Sequence, residues 1–300
     1  MKKQGKLITL IELFYPSAVI LPAIVALVCT LFMASPVSAR PLRFAAIPLL
    51  NKADMIQQFA PFCDYIATIT QRPVELVYYE SYQTLLDALA SNNLDLAYLG
   101  PLPYAALTSK NAGFEPVVRF INSDGSTSYT CALVTFGCYT PRPGAEKPTI
   151  ALTQPYSTCG YLYTQKLLKT RSIDIEKSNY YYTGHHTTCC LDVINGKAQL
   201  AGVKTSIARQ YAKLGLRIIA RSEPIPGFLL VANRHTLSTH AIEQIRAQLL
   251  QLDSRHNHND VNIIAGWGDM LRHGIIKAKD ADYQGIRELF QHTHIPEVAQ

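Results

Sequence analysis

The sequence carries little net charge for its length. Its 300 residues include 28 Lys and Arg against 22 Asp and Glu, which gives a formal charge of +6. This surplus is small and dispersed, and basic residues do not alternate with aromatic ones as they do in many nucleic-acid-binding surfaces. The composition therefore argues against a nucleic-acid partner, whereas a mildly basic chain suits a small anionic ligand.

The sequence also lacks the signs of a hydrolase. Ser157 is not part of a G-x-S-x-G motif, and no acidic residue follows His186 to orient it as a base. Cys159 with His186 would make a better nucleophile–base pair. We expect a protein that is not an enzyme, with no cofactor and no metal site.

The amino end has the pattern of a secretory signal peptide. Lys2, Lys3 and Lys6 precede an apolar stretch at 18–33, and a V-x-A site ends at Ala39. This pattern predicts a signal peptide over residues 1–39 and a periplasmic mature protein, with an uncleaved membrane anchor as the alternative. Cleavage after Ala39 removes three Lys and one Glu and leaves a formal charge of +4.

An even number of cysteines remains after residue 39, which favours disulfides in an oxidising compartment. These cysteines are Cys63, Cys131, Cys138, Cys159, Cys189 and Cys190. Six cysteines allow fifteen pairings, among which the sequence does not choose. Cys131 and Cys138 could close a local loop, whereas the adjacent Cys189 and Cys190 very rarely bridge each other.

The stretch 148–169 predicts a strand, a tight turn and the start of a helix. An apolar run at 149–152 meets Pro155, and Ser157-Thr158-Cys159-Gly160 then opens a segment with helical spacing. The start of a helix presents unpaired backbone N–H groups and the positive end of the helix dipole, so it can bind an anion. The alternative is that Ser157 or Thr158 merely caps the helix.

Hydrophobic periodicity predicts two α/β units. The predicted strands are 42–48, 74–79, 95–99, 149–152, 179–182, 199–203, 216–221 and 227–232. The predicted helices are 54–70, 82–91, 187–195 and 206–214, followed by an all-helical tail at 239–252, 260–270 and 283–291. Alternation of this kind is typical of parallel sheets, whose ligands bind beyond the carboxyl ends of the strands.

Between the two units, Asp124-Gly125 predicts an antiparallel hairpin of 117–122 with 128–136. Loops at 49–52, 80–82 and 100–104 are predicted to point to one crevice. If the chain leaves the first unit near Val134 and returns near Leu230, two hinge strands join the units and a cleft lies between them.

Several ordered motifs resemble those of the periplasmic phosphate/phosphite/phosphonate-binding proteins of ABC transporters. They are Phe62 to Tyr65 within QQFAPFCDYI, Tyr82 with LLDAL, DLAYLGPLPYA (95–105), DGSTSYTCALV (124–134), PYSTCGYL (155–162), TGHHTTCCLDVINGKAQLAGV (183–203) and SEPIPGFLLVA (222–232). Each is weak alone, but their common order covers nearly the whole mature chain.

The resemblance implies a type II periplasmic binding protein fold: two α/β lobes, each a mixed sheet flanked by helices, around a cleft that closes by hinge motion. Lobe 1 would comprise 40–133 and 230–300, and lobe 2 would comprise 134–229. The resemblance further implies a monomer that captures a small oxyanion and delivers it to an ABC permease in the inner membrane. Presentation of the ligand to a membrane sensor kinase is the alternative.

The resemblance also assigns candidate ligand-binding residues. Family members hold phosphonate oxygens with a Ser-Thr-Ser motif at a helix start and with a His. Here the motif is Ser157-Thr158-Cys159, and the His is His186. The full set of candidates is Tyr82, Tyr104, Tyr129, Ser157, Thr158, Cys159, Gly160 and His186, with Tyr104 and Tyr129 closing the cleft.

Departures from the family pattern bear on the ligand. Members that take aminoalkyl phosphonates carry acidic residues at positions that the resemblance maps to Thr187 and Gln199. Without them an ammonium group would be buried unpaired, at a cost of several kcal/mol, so we expect a ligand without an amine. Cys159, His186 and Cys189 could instead bind a thiophilic ligand, such as a sulfur oxyanion, arsenite, zinc or copper. Ordinary disulfides are the competing interpretation of these cysteines.

Overall fold

The computed structural model describes residues 40–140, 147–252 and 257–296. The predicted signal peptide at 1–39 lies outside the described residues. Within the described ranges, none of the helices has the length and apolar character needed to cross a membrane.

The described chain contains strands and helices in the following order. The strands are β1 (Leu42–Ala46), β2 (Val74–Leu76), β3 (Leu96–Leu99), β4 (Phe114–Phe120), β5 (Ser128–Tyr129), β6 (Cys131–Phe136), β7 (Thr149–Leu152), β8 (Asn179–Tyr182), β9 (Leu200–Lys204), β10 (Leu216–Arg221), β11 (Ile225–Pro226), β12 (Leu229–Asn233) and β13 (Ile275–Lys277). The α-helices are α1 (Lys52–Thr70), α2 (Tyr82–Ala90), α3 (Pro101–Lys110), α4 (Tyr163–Lys169), α5 (His186–Ile194), α6 (Thr205–Gln210), α7 (Thr239–Gln251), α8 (His258–Ala265) and α9 (Gln284–Gln291). A π-helical turn (Thr158–Leu162) precedes α4, and short 3-10 turns lie at Ile175–Lys177, Ala212–Leu214 and Asp280–Tyr283.

These strands form two mixed sheets and a short ribbon. The first sheet has the order β13-β4-β12-β3-β1-β2, and the second has the order β10-β6-β9-β7-β8. The pairs β1–β2, β1–β3, β7–β8 and β7–β9 are parallel, and the other pairs are antiparallel. Strands β5 and β11 form the two-stranded ribbon. The predicted two-lobe α/β fold is confirmed.

The elements form where local chemistry favours them. Helix α1 is capped at its start by Asn51, whose side chain accepts a hydrogen bond from the backbone N–H of Asp54, and at its end by Gln71 in the left-handed conformation. Its apolar face, which includes Phe59, Phe62 and Ile66, packs in the core against the first sheet. The strands β3 and β12 in the middle of that sheet are buried along their whole length, as expected for strands covered on both faces.

Three predictions about the connections are wrong. The turn at Asp124-Gly125 forms, with a hydrogen bond from the Asn122 N–H to the Ser126 carbonyl, but its flanking strands do not pair: β4 joins the first sheet and β6 the second. Residues 101–104, predicted as a loop, begin helix α3, because Pro fits the first turn of a helix. The carboxyl-terminal region is not all-helical, since β13 pairs with β4.

The chain changes sheets twice, once between Phe120 and Cys131 and once between Arg221 and Leu229. Strands β5 and β11 lie within these two crossings and pair with each other. Strand β6 belongs to the second sheet from Cys131 onward, a few residues before the predicted lobe boundary at 133/134. The predicted lobe boundaries, with 40–133 and 230–300 in lobe 1 and 134–229 in lobe 2, stay a prediction.

A small hydrophobic cluster lies where α3, the ribbon and the π-helical turn meet. It includes Leu102, Tyr129, Cys131, Cys159 and Leu162, all of them buried. The cluster brings the start of α3, which follows the first sheet, to the start of the π-helical turn, which follows the second. The candidate site lies at this junction.

Candidate functional site

The stretch that follows β7 forms the strand, turn and helix start predicted from the sequence. Ser157 stands at the N-cap of the π-helical turn, and its Oγ accepts a hydrogen bond of 3.0 Å from the backbone N–H of Gly160. The capping interpretation is therefore correct for Ser157. Its hydroxyl hydrogen remains able to donate, because Oγ acts only as an acceptor in this bond.

A second helix start faces the first. Gly100 is the N-cap of α3 and offers no side chain to its orphan N–H groups. The backbone N–H of Leu102 instead donates a 3.0 Å hydrogen bond to Oγ1 of Thr158. Because each helix start carries about half a positive charge, their meeting makes this point of the molecule electropositive.

A small cavity lies between the two helix starts. Its volume is about 20 Å³, which leaves room for little more than one water-sized group in this conformation. Its lining residues are Ile47, Leu49, Tyr82, Gly100, Pro103, Tyr129, Ser157, Thr158, Cys159, His186, Lys204 and Phe228. Six of the eight candidates from the sequence therefore line one cavity: Tyr82, Tyr129, Ser157, Thr158, Cys159 and His186.

Two predicted site residues do not line the cavity. Tyr104 is fully buried away from it, and its hydroxyl donates a 2.6 Å hydrogen bond to Asp280, which is ion-paired with Arg287. The geometry does not support the predicted role of Tyr104 in closing the cleft, because its hydroxyl is already bound to Asp280. A Cβ atom on Gly160 would lie 1.7 Å from Oγ1 of Thr153 and 2.8 Å from Oγ of Ser157. The glycine thus permits the close approach that shapes the turn.

His186 begins helix α5. Its ring is half-buried, and its Nδ1 is buried with no hydrogen-bond partner within the described part of the chain. Burial, with smaller contributions from the positive charges of Lys204 and His185, lowers the pKa of His186 from 6.5 to about 4. The imidazole is therefore neutral at physiological pH, with one ring nitrogen as a donor and the other as an acceptor.

Lys204 is a site residue that the sequence reasoning missed. It is the last residue of β9, and in the antiparallel pairing of β6 with β9 it stands opposite Cys131. Its Nζ lies 5.0 Å from the centre of the Tyr129 ring and 5.7 Å from that of Phe228. Burial lowers the pKa of the Lys204 ammonium, and the charge of Asp124 opposes this effect. One signal could have found it: Lys204 ends a strand that is paired in parallel, where ligands of such sheets collect.

The cysteines do not favour the alternative of a thiophilic ligand held by Cys159, His186 and Cys189. Cys131 and Cys159 form a disulfide across a sequence separation of 28, so Cys159 has no thiolate to offer. Cys189 is free but buried, with its sulfur 3.1 Å from the hydroxyl of Thr183, and burial raises its pKa to about 12. Across the described ranges, no group of three or more His, Cys, Asp or Glu side chains could hold a metal ion. These contacts do not favour a thiophilic site made of Cys159, His186 and Cys189.

The positions expected to balance an amine lie outside the cavity. Thr187 is exposed, and the side-chain oxygen of Gln199 accepts a 2.8 Å hydrogen bond from the backbone N–H of Thr149. The expectation that these two positions face the ligand is therefore not supported. The described residues that do line the cavity nevertheless include no Asp or Glu.

The fold and the site together define a class. The periplasmic binding proteins have this architecture. It consists of two mixed sheets, a chain that crosses from the first sheet to the second and back, and a cavity between one helix start from each sheet. Within that class, the chain matches the family described as "ABC transporter, phosphonate, periplasmic substrate-binding protein" over residues 44–283, and it belongs to that family. Members of the family are phosphonate- or phosphate-binding components of ABC importers. They act outside the cytoplasm as transport proteins and not as enzymes.

Individual relatives agree with this assignment. The chain is 24% identical to the phosphate-import protein PhnD of Mycolicibacterium smegmatis over 268 residues, which cover 82% of this chain and 83% of the relative. Its structure is similar to that of a binding protein component of an ABC phosphonate transporter from Pseudomonas aeruginosa (TM-score 0.68, 20% identity, 84% and 86% of the two chains). It is also similar to that of PhnD1 from Prochlorococcus marinus in complex with methylphosphonate (TM-score 0.69, 15% identity, 84% and 98%).

Proposed function

We propose that this chain captures a small phosphorus oxyanion without an amine, such as phosphate, phosphite or methylphosphonate, in the periplasm and delivers it to an ABC permease in the inner membrane. The observation that carries the proposal is the meeting of two helix starts, a lysine and a neutral histidine at one small cavity, whose described lining residues include no carboxylate. Helix starts, a cation and hydroxyl donors are the groups that proteins use to hold phosphate-like anions.

The donors have distinct roles in this proposal. The hydroxyls of Ser157 and Thr158 and the backbone N–H groups of the π-helical turn bind the oxygens, and the ring of His186 gives one further donor. Tyr82 and Tyr129 close the sides of the cavity. Cys159 contributes through its disulfide with Cys131, which holds the turn against β6.

The proposed exclusion of amines follows from the same lining. An ammonium group inside this cavity would meet Lys204 and two helix starts, all of them positive, and no carboxylate among the described lining residues. Burying a charge without a partner costs several kcal/mol. Such a ligand should therefore bind far more weakly than methylphosphonate.

The chain acts as a monomer in this proposal, and its partners are the ligand and the permease. The relatives named above are import or transporter proteins, which favours delivery over presentation to a sensor kinase. The disulfide at Cys159 removes the thiolate on which a thiophilic ligand would depend.

Isothermal titration calorimetry on the mature protein tests the proposal. Phosphate, phosphite, methylphosphonate, sulfate and 2-aminoethylphosphonate would each be titrated into the wild-type protein and into Thr158→Val. We expect at least one of the three amine-free phosphorus anions to bind, and the variant to weaken that binding roughly tenfold or more, because it removes a hydroxyl and leaves the Leu102 N–H unpaired.

Thr164→Val is a matched control for the variant. Thr164 is also fully buried, but its hydroxyl bonds the carbonyl of Cys159 and it does not line the cavity. It should lower the thermal stability while leaving affinity within about threefold of wild type. Tight binding of 2-aminoethylphosphonate, or no binding of any amine-free phosphorus anion, would contradict the proposed function.

A further inference from the structure

Lys204 is the one full positive charge on the described lining of the cavity. Its ammonium contacts neutral groups. The Lys204 Nζ lies 3.4 Å from the side-chain oxygen of Asn122 and over the rings of Tyr129 and Phe228. Asp124 acts on it electrostatically, but that carboxylate is exposed and is held by Ser126 through two hydrogen bonds. The ammonium is thus largely buried with its charge still uncompensated by a contacting carboxylate.

The position of this charge is fixed by its surroundings. The rings of Tyr129 and Phe228 stack with centroids 5.7 Å apart, and cation–π attraction holds the ammonium over them. On the backbone, Lys204 pairs with Cys131, whose disulfide partner Cys159 belongs to the π-helical turn. The same short segment therefore ties the lysine to the helix start that would hold the ligand oxygens.

We propose that Lys204 selects the ligand by its charge state, so that the site prefers the doubly ionised form of a small phosphorus oxyanion to the singly ionised form. This inference rests on the proposed function and names the ligand charge that the site recognises. Two helix starts of about half a charge each, together with the lysine, place about two positive charges around the cavity. A dianion balances them, whereas a monoanion leaves an excess.

The lining places the lysine and both helix starts around one cavity. Lys204, Gly100 at the start of α3 and Ser157 at the start of the π-helical turn all line it. A tetrahedral anion bound there would therefore face all three sources of positive charge. Selection by Lys204 thus acts on the protonation of that anion.

The wild-type protein can be tested with phosphite and hypophosphite. The two anions are similar in shape, but phosphorus acids of the phosphite type release their second proton near roughly pH 6–7, whereas hypophosphite has a single acidic proton. Dissociation constants for both would be measured by calorimetry at about pH 5.5 and about pH 8. We expect phosphite to gain at least about tenfold over hypophosphite between the two pH values.

The ratio of the two affinities reports mainly on the ionisation of the ligand. The groups that face Lys204 are Tyr129 from β5, Asp124 from the preceding turn and His186 from α5, with the exposed His185 beside the last. Burial raises the pKa of Tyr129, hydrogen bonds from Ser126 lower that of Asp124, and that of His186 is about 4. A change of charge elsewhere on the protein acts more strongly on a dianion than on a monoanion, and the same ratio measured in Lys204→Met corrects for it.

Variants then assign the effect to the lysine. Lys204→Met keeps the chain length without the charge, and it should weaken phosphite at about pH 8 by roughly 10- to 100-fold while changing hypophosphite much less. Lys204→Arg should retain most of the preference, because it retains the charge. Lys177→Met is the control, because the Lys177 side chain is 82% exposed. It should leave both affinities unchanged. Thermal unfolding of each variant reports on folding.

The outcomes distinguish this inference from the proposed function. A phosphite-to-hypophosphite ratio that is the same at both pH values, or that survives unchanged in Lys204→Met, overturns the charge selection while the oxyanion capture stands. If phosphate, phosphite and methylphosphonate all fail to bind the wild-type protein, the proposed function fails and this inference fails with it. The expected pattern, with Lys204→Arg close to wild type, supports both.

Discussion

The disulfide between Cys131 and Cys159 should contribute a large part of the stability of the second sheet. It closes a loop with a sequence separation of 28 between β6 and the π-helical turn. On the chain-entropy account, a crosslink of this span stabilises the native state by roughly 3.5 kcal/mol relative to the unfolded chain. In a protein of this size each kcal/mol corresponds to about 2–4 °C in Tm, so the double variant Cys131→Ala/Cys159→Ala should melt about 7–14 °C below wild type.

Differential scanning calorimetry without reductant measures this shift. Cys138→Ala is the control: Cys138 is free and exposed, so its Tm should match wild type. Wild-type protein that is unfolded and refolded in the presence of reductant should have a lower Tm. The same treatment should not change the Tm of the double variant, which has no disulfide to reduce. A double variant that melts within about 2 °C of wild type would refute the reasoning, because the crosslink would then restrict the unfolded chain too little to matter.

Two further predictions concern the residues that shape the cavity. Gly160→Ala should destabilise the protein by about 1–3 kcal/mol and weaken anion binding, because its Cβ would overlap the side chains of Thr153 and Ser157. Urea unfolding measures the stability and calorimetry the affinity, and a Gly160→Ala variant as stable as wild type would show that the overlap is relieved at no cost. The depressed pKa of His186 means that the unfolded chain takes up a proton below its ordinary value of 6.5, while the folded chain does so only near 4. Stability from this group is therefore complete above 6.5 and is lost as the pH falls towards 4, and in His186→Gln the pH dependence of unfolding over that window should decrease by about one proton.

The features predicted well from the sequence are those set by neighbouring residues. Strand β7 and the capped turn at Ser157 follow from an apolar run, a proline and a capping hydroxyl within a few positions. Helix α5 begins at His186, one residue before the predicted start, because its helical periodicity is local. The grouping of Ser157, Thr158 and His186 at one cavity came from the resemblance to a family, since no local pattern joins residues 29 positions apart.

The features predicted badly depend on distant partners. Turn chemistry at Asp124-Gly125 correctly predicts a reversal of the chain, but it contains no information about which sheet each flanking strand will join. The three residues of β13 are too few for a periodic pattern, and they become a strand only because the edge of β4 is available to them. The hydroxyl of Tyr104 binds Asp280, 176 positions away, and its local motif contains no information about this contact.

If the proposed anion binds between the two helix starts, the contacts across the cleft should couple ligand capture to closure. Each sheet supplies one helix start: α3 follows β3 of the first, and the π-helical turn follows β7 of the second. The bond from Leu102 to Thr158 joins them, and the side chain of Gln154 adds longer contacts to the Tyr82 N–H at the start of α2 and to the Pro48 carbonyl after β1. Two positive helix ends repel each other, so these neutral bonds must act against that repulsion when the sheets approach. An anion placed between the same two ends converts the repulsion into attraction on both sides. Its binding energy therefore acts directly on closure, as expected when a ligand stabilises one state of a hinge.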